Sequence, residues 1–150
     1  MEKILDSRDF LRLLEEVLKS GKGITFMAKG DSMSPFIRHG DNITVRPLDR
    51  PLRVGDVVLV RSAGGGALVH RVVSVRHGTL VTRGDASGVN DPPCRLEDVL
   101  GRVVRVEGKG YNFHLDFPYG YLIARWFGFL KHSGVVVWTC RFFINLFRLR

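Results

Sequence analysis

The sequence predicts a mainly β fold with a short N-terminal helix and apolar helices at its C-terminal end. Three observations carry that reading. Short Val-rich runs, separated by Gly, Pro, Asp and Asn, recur through residues 23–116. An apolar period of helical spacing precedes them, over residues 7–19. From residue 117 onward acidic residues stop and aromatic ones crowd together. The chain therefore divides into an amphipathic helix (1–22), a β domain (23–116) and a basic, aromatic-rich helical tail (117–150).

At 150 residues, 45% hydrophobic and 25% charged, the chain is long enough for one packed core and too apolar for disorder throughout. In the first segment Phe10, Leu11, Leu14, Val17 and Leu18 share a helical face. Asp6 or Ser7 suits the cap, Lys19 the last turn and Gly21 the exit. Strands are expected at Ile24–Lys29, Asn42–Arg46, Asp56–Arg61, Ala67–Arg76, Thr79–Arg83 and Leu100–Glu107. Gly64-Gly65-Gly66 and His77-Gly78 read as turns between strands.

The tail reads as two helical pieces, Tyr121–Lys131 and Val135–Arg150, parted by Ser133-Gly134. It holds five basic and no acidic residues, so it carries +5 of the chain's net +8, together with both Trp and six of ten Phe. Arg141, Asn145 and Arg148 fall at i, i+4 and i+7, on one face. That is the pattern of a helix lying in an anionic bilayer surface, with Trp126 and Trp138 as anchors. A hydrophobic cap on the β domain or a dimer contact would use the same residues. No run of about 18 uncharged apolar residues predicts a standard span. The opening Met-Glu-Lys-Ile-Leu-Asp does not read as a secretory signal. The expectation is a membrane-associated protein, peripheral or C-terminally anchored, and otherwise cytoplasmic.

The two cysteines, Cys94 and Cys140, exclude a disulfide scaffold, and the five His lack metal-ligand spacing. No cofactor or metal is expected. Basic residues of the β domain are scattered without aromatic interleaving, so nucleic acid is not the expected partner.

The chemistry points to Gly30-Asp31-Ser32-Met33-Ser34-Pro35. A nucleophilic serine needs exposure on a turn, a base, and donors for the developing oxyanion. Ser32 follows an expected strand and lies between Gly and Pro, so a turn can present it. By itself Gly30-Asp31-Ser32 is a common loop sequence, and an ordinary β-turn would be the favoured reading.

The segment resembles the nucleophile box of the signal peptidase I and LexA-like serine peptidase superfamily, and the resemblance continues in order. Arg38–Val45 is similar to that family's Gly-Asp strand, and Val54–Val60 to its Val-Gly-Asp-Val-Val box. Val69-His70-Arg71-Val72-Val73 resembles the base-bearing strand. Thr82-Arg83-Gly84-Asp85-Ala86-Ser87, with Asn90-Asp91, resembles the acidic box. Together these cover about residues 24–106. No lysine stands between Lys29 and Lys109, so His70 takes the base position. That matches the archaeal, endoplasmic-reticulum and sporulation-type signal peptidases, which use Ser, His and Asp. The resemblance implies Ser32 as nucleophile and His70 as base, with Asp91, or Asp85 second, orienting the ring. It also implies an extended peptide or preprotein substrate, paired with Ile24–Lys29 and small at the −1 and −3 positions, with Met27 and Met33 as pocket walls. A serine endopeptidase trimming leader or signal peptides is the leading expectation. A LexA-like self-cleaving regulator and a non-catalytic binding module are the alternatives.

Overall fold

The computed structural model describes residues 7–62 and 64–115. Helix α1 spans Ser7–Lys19 and buries Leu14 and Leu18, with Phe10 partly covered. Its exit uses the glycine conformation: Gly21 sits at φ +80°, its N–H donates to Leu18 O, and Lys22 N–H donates to Val17 O. Glu15 ties the helix to the sheet through Arg61, 2.6 Å away.

Eight strands follow: β1 (Ile24–Met27), β2 (Asn42–Arg46), β3 (Val57–Arg61), β4 (Ala67–Arg76), β5 (Thr79–Arg83), β6 (Cys94–Arg95), β7 (Val99–Gly108) and β8 (Tyr111–His114). They form one antiparallel, curled sheet in the order β1-β2-β7-β3-β4-β5-β6, with β8 also on β7. Sequence-adjacent strands pair as hairpins from β3 to β6. β7, which follows β6 in the chain, returns to sit between β2 and β3 and joins the two halves of the sheet.

Because the sheet curls, β3 is covered on both faces, and Val57, Val58, Leu59 and Val60 are all buried. Val57 and Leu59 join α1, Ile43, Val45, Val103 and Val106 in one core. Val58 and Val60 join Val72, Leu80 and Val99 in a second. The period-two alternation of a strand thus feeds two cores from one run of four apolar residues. At roughly 25 cal/mol per Å2 of apolar surface, each fully buried Val or Leu contributes about 1.5–3 kcal/mol.

The helix and six expected strands are present; α1, β2, β4 and β5 have the expected ends, β7 is one residue longer at each end, and β1 and β3 are shorter. β1 stops at Met27, because Ala28 and Gly40 pair irregularly beyond it and Gly30 turns the chain at φ +84°. β3 starts at Val57, since Asp56 instead closes the preceding turn by accepting the Arg53 N–H. β6, the 3-10 turn Leu96–Asp98 and β8 were not foreseen. They are two to four residues long, too short for a period to register. Among the described residues no helix is long and apolar enough to cross a membrane. The expected C-terminal helices, and the whole tail from 117, lie outside the described residues.

Candidate active site

The loop from β1 to β2 carries Ser32. Its bonds run inward: Ser34 N–H donates to Asp31 O, and Phe36 and Ile37 N–H donate to Met33 O. Met33 and Ile37 are buried in the first core and pin the turn from below. Ser32, at its leading end, is left exposed. The Met33 side chain packs in the first core, 3% exposed. Met27, 52% exposed on β1, stays on the surface.

β4 carries His70, paired across to Val58 of β3. The ring is buried, with only 8% of the residue exposed. Its Nε2 lies 3.1 Å from Ser32 Oγ, and its Nδ1 lies 2.6 Å from Asp91 Oδ2. Residues 32, 70 and 91, far apart in the chain, thus stand in a row: an exposed hydroxyl, a buried imidazole, a part-buried carboxylate. The row can move a proton from the hydroxyl to the ring while the carboxylate stabilises the charge that results.

Asp91 lies on the loop between β5 and β6. It is held from β5: its N–H donates to Thr82 O at 2.9 Å, and its Oδ2 accepts from Thr82 Oγ1 at 2.7 Å. Asp85, the second acid candidate, is not on the ring. Both of its oxygens accept from Arg71, at 2.7 Å from Nε and 2.6 Å from Nη2. Arg71 also donates to Gly55 O and stacks over Phe36, 5.4 Å from the ring centre. The fork anchors the loop after β5, whose Ala86 N–H donates to Ser32 O at 2.9 Å. Asp85 braces the nucleophile loop through backbone contacts and has no hydrogen bond to the imidazole.

Sequence reasoning gave no role to Thr82, Gly84 or Arg71. A Cβ on Gly84 would fall 2.6 Å from Ser32 O and 3.2 Å from His70 Nε2, so the nucleophile and base approach over a bare backbone. Thr82 left a trace in the sequence. It shares the buried face of β5 with Leu80, and a polar residue on such a face needs a partner.

Two groups elsewhere have altered acidity. Burial, helped by a hydrogen bond to Asp41 and its charge, pushes the Tyr111 hydroxyl up to about 12. Asp41 itself is buried and also accepts the Arg38 N–H, closing the turn before β2. Burial, then the charges of Asp98 and Asp91, push the Cys94 thiol up, which holds it as the weakly nucleophilic thiol. Among the described residues no cluster of three His, Cys, Asp or Glu could hold a metal ion.

A family model described as Peptidase S24-like matches residues 1–104, a span that includes Ser32, His70, Asp85 and Asp91. No curated protein matches the chain.

Proposed function

The chain belongs to the Peptidase S24-like family, whose fold is that of serine peptidases and LexA-like self-cleaving proteins. From that premise we propose that it is a serine endopeptidase that cleaves extended leader or signal peptides after small residues. One observation carries the proposal: Ser32 Oγ, both His70 nitrogens and Asp91 Oδ2 are joined by contacts of 3.1 and 2.6 Å, with the serine exposed.

In this reading His70 Nε2 accepts the Ser32 proton as Oγ attacks the scissile carbonyl. The proton then passes from Nε2 to the leaving amine, and a second cycle with water releases the acyl group. Asp91 holds Nδ1–H and so fixes the tautomer that leaves Nε2 free to accept. The turn spends the N–H groups of Ser34, Phe36 and Ile37 on itself, so the Ser32 N–H that leads it is the natural oxyanion donor. β1 stands at the end of the strand order, just before the nucleophile. A substrate strand added to that edge would run past Ser32 with its main chain in register. The basic, aromatic tail would hold the enzyme at an anionic bilayer, where leader peptides emerge.

The test is cleavage of a synthetic peptide with Ala at −1 and −3, followed by mass spectrometry. Wild-type protein cuts it once, and Ser32→Ala and His70→Ala each abolish the cut. Undiminished cleavage by both variants overturns the proposal. The family match also favours a second reading, self-cleavage. Its mark is a shortened form of the chain that accumulates in the wild type and not in Ser32→Ala, with the added peptide left intact.

A further inference from the structure

The acid of the row has an unusual support. His70 is fixed by a ten-residue strand and Ser32 by a turn rooted in the core. Asp91 has neither. It lies on the irregular stretch between β5 and β6 and is followed by Pro92 and Pro93, which donate no backbone hydrogen bonds. A carboxylate on such a stretch samples several rotamers unless something outside the loop selects one.

Thr82 supplies that selection. It is 4% exposed, on a strand whose neighbours are paired: Thr82 lies across from Val72, and Arg83 across from Arg71. Its carbonyl accepts the Asp91 N–H at 2.9 Å and its hydroxyl donates to Asp91 Oδ2 at 2.7 Å. One residue therefore holds the backbone and the side chain of Asp91. The oxygen it holds is the same one that faces His70 Nδ1 at 2.6 Å. The two donors fill complementary places around Oδ2, and the buried hydroxyl has this carboxylate as its acceptor.

We propose that Thr82 is a positioning residue for the catalytic row. It acts through Asp91 by fixing Oδ2 on the Nδ1–H of His70, and it makes no contact with the substrate. The proposal rests on the peptidase reading and deepens it. Loss of a hydrogen bond from a neutral donor to a part-buried carboxylate corresponds to roughly a tenfold or greater effect if expressed fully in the chemical step.

The experiment uses the full chain in two arms. In the first, Thr82→Val and Thr82→Ser are assayed on the small-residue peptide. Thr82→Val is expected to lower kcat by about tenfold or more with KM near the wild-type value, and Thr82→Ser to restore most of the loss. In the second, the downfield imidazole Nδ1–H proton is followed by NMR in the inactive Ser32→Ala background, which needs no turnover. The resonance is expected in the parent and in Thr82→Ser, and expected to shift or exchange away in Thr82→Val. An unchanged resonance together with an unchanged kcat in Thr82→Val overturns the role of Thr82. Equal loss in Thr82→Ser and Thr82→Val also overturns it, since a hydroxyl in place should then have helped. Failure of the peptidase reading looks different: Ser32→Ala would retain cleavage, whatever Thr82 does.

Discussion

Replacing Asp85 by Asn separates the brace from the chemistry. The Arg71 and Asp85 side chains are 7% and 13% exposed, so the pair is largely removed from water. Asn keeps one acceptor and loses the charge. Arg71 would then retain its bond to Gly55 O and its contact with Phe36, with the guanidinium charge uncompensated. Breaking a buried pair from one side costs about 3–5 kcal/mol. The surviving acceptor sets the expectation near the lower end, about 3 kcal/mol, against a total stability on the order of 5–15 kcal/mol. Urea unfolding followed by circular dichroism, in the Ser32→Ala background to prevent self-digestion, measures it. The double variant Arg71→Met, Asp85→Leu should recover most of the loss, because an apolar pair of similar volume removes the stranded charge. Asp91→Asn should do the reverse, sparing most of the stability and removing most of the cleavage. Asp85→Asn with parental stability and abolished cleavage would refute the reasoning, since the carboxylate would then belong to the reaction.

Gly84→Ala places a methyl 3.2 Å from His70 Nε2 and against Ser32 O, and one side must yield. A displacement of about 1 Å at reacting atoms costs about 100-fold in rate, so peptide cleavage should fall by that order. Near wild-type cleavage would show that the approach is looser than the geometry says. Tyr111 loses its proton near pH 10 when unfolded and near 12 when folded. Its hydroxyl therefore contributes stability that is complete below pH 10 and is lost as the pH rises through about 12. Tyr111→Phe should flatten the stability curve in that window, and an identical alkaline loss in both proteins would contradict it. The tail should carry the chain down with anionic vesicles and not with neutral ones, at about 1 kcal/mol per basic residue near the surface. Deleting residues 118–150 should abolish that sedimentation, and retention without the tail would move the contact elsewhere.

The parts of the fold legible in the sequence are those where a period repeats long enough to be counted. α1 shows its face through five apolar residues at helical spacing, and β4 runs for ten residues. β6 and β8 have no such length. β6 is two residues laid against Thr79 and Leu80 at the sheet edge, and β8 forms where the turn at Gly110, φ +82°, folds the chain back on β7. Both are products of tertiary contact, which a local pattern does not record.

The site divides along the same line. Ser32 and His70 could be picked out because the segments that hold them, Gly30 to Pro35 and Val69 to Val73, resemble two boxes of one family in the right order; alone, the first reads as an ordinary turn and the second as an ordinary strand. Between Asp85 and Asp91 the resemblance put Asp91 first, and the local pattern added nothing to separate them. Both lie on one irregular stretch, six residues apart, and either could reach a ring if the chain bent to suit it. The structure distinguishes them by what stands beneath. Arg71, the residue after His70 on β4, takes Asp85 with a two-pronged fork, while Thr82, one strand over, takes Asp91. The Arg71 fork holds both oxygens of Asp85, while Thr82 holds Asp91 by the oxygen whose second lone pair faces the imidazole. The two acids therefore part company because of where the donors that meet them stand: Thr82 holds Asp91 at the ring, and Arg71 holds Asp85 on the brace of the nucleophile loop.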